Sequence, residues 1–208
     1  MKFKKGYIIF KLLVIIGLSV DSKLFGQLYY DDGAIKANGL WENNLRDGEW
    51  VFYYPSGQIS SIERYRRDQL HGNAKYFDFE GNLIGNEYWE NGSLEGLATY
   101  YHQNGQTEKS GRYQNSLYSG LWKFYHENGQ LKRQVNYIDG LIDGEWIYYN
   151  DKGIVIQRGS YKSGKETGKW FFYSADGKLE FEGEYLSGEK VGEWFRATKR
   201  GKKKSWKY

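Results

Sequence analysis

Hydrophobic and polar positions alternate along short segments of this chain, and glycines separate the segments. From Leu179 to Tyr185 the residues read Leu-Glu-Phe-Glu-Gly-Glu-Tyr, with an acid at every second position. Successive side chains of a strand point to opposite faces, so this alternation indicates strands with one apolar and one polar face. The pattern predicts many short antiparallel strands joined by glycine turns.

The same pattern recurs with a period of 24 residues and no insertion. One series of glycines has this spacing: Gly48, Gly72, Gly96, Gly120, Gly144, Gly168 and Gly192. Two residues after each of them stands an aromatic residue or alanine: Trp50, Ala74, Ala98, Trp122, Trp146, Trp170 and Trp194. Several registers that stay in phase predict a repeat array of about seven units over residues 27–201.

Each unit is predicted to contain a β-hairpin followed by a second turn. Asn128-Gly129 and Asp176-Gly177 are typical centres of two-residue type I′ turns, in which both residues have φ > 0. Such centres would pair Trp122 with Val135, Trp146 with Gly159 and Trp170 with Gly183, and the rings of Trp146 and Trp170 would cover their glycine partners. The second turns fall at Asn91-Gly92, Asp139-Gly140, Ser163-Gly164 and Ser187-Gly188. The predicted fold is an all-β, elongated antiparallel β-meander of 24-residue hairpin repeats.

The alternation assigns two faces to the predicted sheet. The tryptophans and the series from Tyr65 to Tyr185 share one face with Phe52, Phe124 and Ile59, and we expect this face to be buried. The opposite face is mainly polar but carries one aromatic residue per unit. We call these residues the tyrosine column and take them as the candidate binding residues: Tyr53, Phe77, Tyr101, Tyr125, Tyr149 and Tyr173. Tyrosine is enriched at protein-binding hot spots, although the column could instead only stiffen the sheet.

Composition leaves little room for catalysis. The chain has no cysteine and three histidines. Of these, His102 and His126 occupy equivalent repeat positions about 10 Å apart, too far to share a metal ion. An active site requires residues that break the symmetry of the repeat, and the sequence shows none. We therefore expect a protein that is not an enzyme and needs no metal or other cofactor.

Charge is distributed unevenly along the chain. Residues 27–195 contain 18 basic and 25 acidic residues, a net charge of −7, which argues against nucleic acid as a partner. Residues 202–208 form a predicted basic C-terminal tail. The basic residues around the start of this tail could bind an anionic membrane or discourage edge-to-edge aggregation: Lys199, Arg200, Lys202, Lys203 and Lys204.

The first 26 residues are typical of a secretory signal peptide. Lys2, Lys4 and Lys5 precede an apolar run from Tyr7 to Val20, and cleavage is expected after Gly26. A retained membrane anchor is the alternative. The expected location is therefore periplasmic, secreted or in the cell envelope.

The repeat unit resembles the bacterial variant of the MORN repeat, and Gly144-Glu-Trp146-Ile-Tyr148-Tyr149 shows this most clearly. The resemblance covers residues 27–201. It implies an antiparallel β array that mediates protein or membrane contacts, and it includes proteins described as antitoxin components of toxin–antitoxin systems. Departures from the pattern occur at Ala74 and Ala98, and at Asp68 and Ser116 in the second turns, where the array could be looser or could receive a partner.

Three binding roles follow from these observations. The first is protein–protein interaction, with an antitoxin or immunity-type component as a special case. The second is binding of an envelope glycan whose rings stack on the tyrosine column. The third is membrane association through the basic tail, which should weaken steeply with salt.

Overall fold

The computed structural model describes residues 23–198 and 202–207, and these residues form strands and turns only. The chain divides into two compact units, Met1–Glu95 and Gly96–Tyr208. The first unit contains β1 (Lys23–Tyr29), β2 (Ile35–Glu42), β3 (Leu45–Tyr53), β4 (Ile59–Arg66), β5 (Gln69–Leu70), β6 (Gly72–Phe77) and β7 (Leu83–Glu90). Strand β8 (Ser93–Tyr101) runs across the boundary. The second unit continues with β9 (Thr107–Gln114), β10 (Leu117–Tyr125), β11 (Leu131–Ile138), β12 (Leu141–Ile142), β13 (Gly144–Tyr149), β14 (Val155–Lys162), β15 (Lys165–Tyr173), β16 (Leu179–Leu186), β17 (Glu189–Ala197) and β18 (Lys203–Trp206).

Consecutive strands pair antiparallel within each unit, which confirms the predicted all-β meander of hairpins. The predicted register is also confirmed, since Trp122 pairs with Val135, Trp146 with Gly159 and Trp170 with Gly183. The described residues include no helix that could span a lipid bilayer.

The two turns of each unit differ in type, and the predicted type I′ geometry belongs to the second turn. Asp139 and Gly140 have φ of 49° and 79°, and positive φ at both central residues is the geometry of a type I′ turn. The first turn is different: Gly129 has φ of 79°, whereas Asn128 is not among the residues with positive φ. Gly129 N–H donates to the His126 carbonyl at 2.8 Å, and the register shifts at Phe124/Tyr125. This is a type I turn completed by a glycine and a bulge, so the predicted type I′ turn was wrong at this position.

Asn128 stabilises the first turn with its side chain instead of its own backbone angles. Its Oδ1 accepts the Gln130 N–H at 3.0 Å, and its Nδ2 donates to the Asp151 carbonyl at 2.7 Å. The second turns without glycine are also complete, since Asp68 and Ser116 have φ of 67° and 63°. These departures from the repeat therefore keep the turn geometry of the other units.

Both sets of turns are connected from one unit to the next by regular hydrogen bonds. At the second turns, a backbone N–H donates to a carbonyl 22 residues earlier, as from Gly164 to Ile142 at 2.8 Å. At the first turns, a side chain donates to a carbonyl 23 residues later, as from the Tyr54 hydroxyl to Phe77 at 2.7 Å. Consecutive repeats are thus joined at both ends of their strands.

The tryptophan rings cover glycines of the preceding hairpin. A Cβ atom placed on Gly159 would lie 2.2 Å from the ring of Trp170, and one on Gly183 would lie 2.1 Å from Trp194. The prediction that Trp146 covers Gly159 and Trp170 covers Gly183 was therefore wrong, although the backbone pairs are right. The cause is a bulge in β15, where the register shifts between Arg158 and Ser160 and brings Trp170 over the strand before it.

At the repeat position held by tryptophan in most units and by alanine in two, the residue beneath changes with the size of the side chain above it. Eleven residues before each tryptophan of this series the chain has Gly39, Gly111, Val135, Gly159 and Gly183, whereas before Ala74 and Ala98 it has Glu63 and Glu87. Glu63 accepts a hydrogen bond from Ser61 at 2.8 Å, and Glu87 accepts one from the Trp89 indole at 3.0 Å. Because Ala74 and Ala98 are 1% and 2% exposed, these positions are packed and offer no opening for a partner.

Each unit has its own aromatic core on the tryptophan face. In the first unit Trp50, Ala37 and Tyr65 are buried with Trp41 and Phe52 against them. In the second, a larger cluster is buried around Trp122, Val135, Tyr137, Trp146 and Trp170. The face assignment is thus right for the aromatic residues, but Ile59, expected to be buried, is 38% exposed beside its turn.

Both ends of the described chain are strands. The predicted signal peptide covers residues 1–26, of which 1–22 lie outside the described residues. Residues 23–26 form half of β1, where Lys23 pairs with Glu42 and Gly26 lies beneath the ring of Trp41. Within the predicted basic tail, Lys203–Trp206 forms β18, and the Trp206 ring lies 5.1 Å from that of Phe181.

We expect Gly159→Ala to lower the free energy of unfolding by about 1–3 kcal/mol, since overpacking beneath Trp170 must displace the ring. Urea unfolding checks this value, with Ser160→Ala on the same strand as the matched control. Equal midpoints for the two variants would contradict the packing of Trp170 on Gly159.

Removing residues 23–26 should destabilise the first unit by roughly 1–3 kcal/mol, because it breaks ladder hydrogen bonds and uncovers one side of Trp41. The measurement compares thermal unfolding of residues 23–208 and 27–208. Phe25→Ser in the longer chain is the control, since Phe25 is 63% exposed and its loss should have little effect. Identical curves for the two lengths would show that β1 contributes nothing.

Candidate functional site

The tyrosine column lies on the face opposite the tryptophans, as expected, but its side chains are half-buried. Each member ends a strand and precedes a first turn. Four of the carbonyls accept a hydrogen bond from a side chain of the preceding unit: those of Tyr53, Phe77, Tyr125 and Tyr149. Tyr53 accepts from the Tyr30 hydroxyl at 2.7 Å, and Tyr125 accepts from His102 Nε2 at 3.1 Å. Tyr53, Phe77, Tyr101, Tyr125, Tyr149 and Tyr173 are therefore part of the turn structure, with part of each ring open to solvent.

The two equivalent histidines make the same hydrogen bond to the next unit. His126 Nε2 donates to the Tyr149 carbonyl at 2.9 Å, as His102 does one unit earlier. These bonds require the tautomer with hydrogen on Nε2. Among the described residues, no three His, Cys, Asp or Glu side chains are grouped so that they could hold a metal ion.

The basic residues near the C terminus are partly used in the sheet. Lys203 forms an ion pair with Glu182, and Lys204 pairs across the ladder with Arg196. The Lys202 N–H donates to Thr198 Oγ1 at 3.1 Å. Lys199 and Arg200 lie outside the described residues. The charge of Lys203 is therefore paired within the sheet, which leaves one cation fewer for binding an anionic membrane.

A cleft of about 430 Å³ lies at the first turn of the chain. It is lined by aromatic rings, carboxylates, an ammonium group and the single proline: Tyr29, Tyr30, Asp31, Asp32, Lys36 and Pro55. Asp32 Oδ1 accepts the Ala34 N–H at 2.9 Å, and the Tyr30 hydroxyl is bound to the Tyr53 carbonyl. A ring with neighbouring polar groups could receive a small polar molecule.

Five aliphatic side chains on β8, β10, β11 and β12 are exposed on the face opposite the tryptophans in the second unit. We call them the aliphatic patch: Leu97, Leu117, Leu121, Ile138 and Leu141. Leu97 is 70% exposed and the others about half exposed. They lie on β8, β10, β11 and β12, and Ile138 is the cross-strand partner of Leu141. Sequence analysis described this face as polar and missed the patch.

The repeat itself contains the signal that identifies the patch. At positions equivalent to Leu97 and Leu121, the other units have Glu49, Asn73, Glu145, Lys169 and Glu193. The hairpin therefore forms with a polar residue at this position, and leucine there is not needed for folding. Comparing units position by position, instead of reading their consensus, would have shown this departure.

Several tyrosine hydroxyls on the tryptophan face have a raised pKa. Burial, together with the Glu166 carboxylate that accepts from its hydroxyl at 3.2 Å, raises the pKa of Tyr161 to about 12. Burial and neighbouring Glu87 and Glu63 raise the pKa of Tyr76, and burial also raises the pKa of Tyr137. These groups stay neutral over the physiological range.

Comparison with known protein families and structures gives one family match. The model of the MORN repeat variant matches residues 46–67, 94–115, 118–139, 142–163 and 166–186, which together make up more than half of the chain. The curated proteins contain no match.

Three solved structures show weak similarity. The GtfA/B complex bound to UDP and GlcNAc is 12% identical over 72% of this chain and 26% of that one, with a TM-score of 0.21. A porin-like protein from Bacteroides uniformis is 9% identical over 92% and 91%, with a TM-score of 0.24. The Tc holotoxin pore of Photorhabdus luminescens is 14% identical over 85% and 13%, with a TM-score of 0.19. The chain thus spans about a quarter of the first structure.

Tyr161 should make folding stability depend on alkaline pH. Its folded pKa, about 12, exceeds the ordinary value of 10.0, so its contribution is complete below pH 10 and is lost as pH rises through about 12. Urea midpoints at about pH 9 and about pH 11 should therefore differ less in Tyr161→Phe than in the unchanged chain. Glu166→Gln, which removes one cause of the shift, should give an intermediate difference. The same pH dependence in all three proteins would contradict this assignment.

Proposed function

The chain belongs to the MORN repeat variant family, and from that premise we propose that it is a non-enzymatic scaffold that binds another protein. The binding surface in this proposal is the aliphatic patch. The observation that supports it is the set of five exposed aliphatic side chains on β8 and β10 to β12, of which Leu97 and Leu121 stand where the other units have polar residues.

The exposure of the patch is costly in water. Full burial of a leucine side chain lowers the free energy by about 1.5–3 kcal/mol relative to leaving it exposed. Five side chains that are half exposed or more therefore retain a substantial part of this free energy, which binding of a partner could release. Exposed apolar side chains grouped on one face are typical of protein-interaction sites. Because polar residues support the same hairpin in other units, the folding of the chain does not account for these leucines.

The proposal places the scaffold outside the cytoplasm, in the cell envelope or secreted. Support comes from the lysine-rich start and the apolar run from Tyr7 to Val20. An antitoxin or immunity-type role is the special case in which the bound protein is toxic to the cell that makes the scaffold.

Glycan binding is the second candidate, and the cleft at the first turn favours it. Tyr29 is 37% exposed there and lies beside Asp31, Asp32 and Lys36, which offer hydrogen-bond partners to sugar hydroxyls. A glycan bound in this cleft would leave the aliphatic patch uncovered.

The test replaces the two most diagnostic leucines with the residue that other units carry. Leu97→Glu and Leu121→Glu recreate the situation of Glu49, Glu145 and Glu193, so the hairpins should still form. We expect the double variant to retain its far-UV spectrum and to capture its protein partner from an envelope fraction at least tenfold less well, since two charges would need desolvation. Quantitative mass spectrometry of the captured proteins gives the measurement.

Lys169→Glu is the matched control, because it changes the equivalent position outside the patch. Equal capture by the double variant and the control would remove the patch from the proposal. Capture of wall glycan without any protein would favour the second candidate, and Tyr29→Ala should then abolish it.

A further inference from the structure

A row of alternating aromatic and cationic side chains crosses the tryptophan face of the second unit. Lys109 pairs across the ladder with Tyr100 and with Phe124, and Arg133 pairs with Phe124 and with Tyr148. We call these five residues the cation row. Neighbouring strands lie about 4.8 Å apart, so the backbones of Lys109 and Arg133 are about 9–10 Å apart with Phe124 between them. All five side chains are half-buried.

Aromatic rings hold both cations in place. Lys109 Nζ lies 4.4 Å from the centre of the Tyr100 ring and 3.0 Å from the Tyr118 hydroxyl. The Arg133 guanidinium lies 4.2 Å from the centre of Phe124 and 5.4 Å from that of Trp146. Cation–π contacts of this kind orient a charged group without neutralising it.

Neither cation has a carboxylate partner within the described part of the chain. The ion pairs found there involve other lysines and arginines, and Arg133 Nε is buried without a hydrogen-bond acceptor. A buried donor on a charged group that lacks an acceptor is destabilising. Both side chains are therefore positively charged groups whose charge is not balanced by a carboxylate of the described residues.

The repeat does not need these charges. Positions equivalent to Lys109 and Arg133 hold Ala37, Ser61 and Gly85 in earlier units and Gln157 and Phe181 in later ones. Two consecutive units therefore depart from the pattern in the same way, and both place a cation between aromatic rings. This departure is independent of the aliphatic patch, which lies on the other face.

We propose that the cation row binds an acidic segment of a protein, in which one carboxylate contacts Arg133 and a second contacts Lys109. Arginine can hold a carboxylate through two parallel hydrogen bonds, which the two terminal Nη groups of the Arg133 guanidinium can donate. An apolar or aromatic residue between the two acids would pack on Phe124. The inference rests on the proposed role in protein binding and adds a second surface to it.

Charge favours an acidic protein segment over nucleic acid. Nucleic acid binding gains its strength from many phosphate contacts and long-range attraction, whereas the row offers two cations within a body of net charge −7. Two carboxylates at short range need only the local pair of cations, and the half-buried setting strengthens each contact.

The test uses the full chain and a labelled peptide of sequence Gly-Glu-Phe-Glu-Gly, with Gly-Gln-Phe-Gln-Gly as the neutral probe. We expect the acidic peptide, and not the neutral one, to shift the Arg133 Nε–H signal in the NMR spectrum. Lys109→Gln with Arg133→Gln should weaken the affinity at least tenfold. The matched control is Lys123→Gln with Lys132→Gln, the same charge change on the opposite face, and its affinity should stay within about twofold.

Arg133→Lys keeps the positive charge, so it distinguishes a loss of binding from a loss of folding. We expect this variant to bind the acidic peptide with intermediate affinity. Equal binding by the test and control variants would overturn the proposal, as would an unshifted Arg133 signal or tighter binding of oligothymidine than of the acidic peptide. Leu97→Glu with Leu121→Glu should bind the peptide normally. The cation row and the aliphatic patch can therefore fail separately.

Discussion

The contact between a tryptophan ring and a glycine of the neighbouring strand determines most of this structure. The ring of Trp170 lies where a side chain of Gly159 would be, and Trp194, Trp122, Trp50 and Trp41 repeat the arrangement. A single-layer sheet has no second layer to bury its residues, so its core must form within one face. Bulges at the repeated glycines, such as Gly168 with φ of 65°, move the rings of Trp170 and its equivalents Trp50, Trp122 and Trp194 over the preceding strand and make that burial possible.

Much of the fold could be predicted from the sequence because the repeat fixes several quantities together. The period, the strand pairs and the two faces all depend on spacing, and the pairs of Trp122, Trp146 and Trp170 were predicted correctly. The turn type and the glycine beneath each ring depend on bulges, which add residues to one strand without altering the period. A 24-residue pattern is compatible with either geometry, so the sequence could not choose between them.

The candidate surfaces were harder to predict because they consist of exceptions to the repeat. The repeated pattern favoured the tyrosine column, whose members occur in all units but the last, and part of each of these residues belongs to a turn. Leu97 and Leu121 differ from their equivalents in polarity, and Lys109 and Arg133 differ in charge. The repeat fold does not require these residues. Their significance comes from the observed exposure of the leucines and from the lack of an acceptor for Arg133 Nε among the described residues.

The hydrogen bonds that join consecutive turns have a consequence for how this chain can change in length. They connect residues 22 apart at one end of the strands and 23 apart at the other, as in Gly164 to Ile142 and His126 to Tyr149. One inserted residue inside a unit would disturb both connections and the strand register together. Duplication or loss of a whole 24-residue unit would preserve them all. Gene rearrangements should therefore alter such an array in complete units, and its reach across a partner would change in fixed steps.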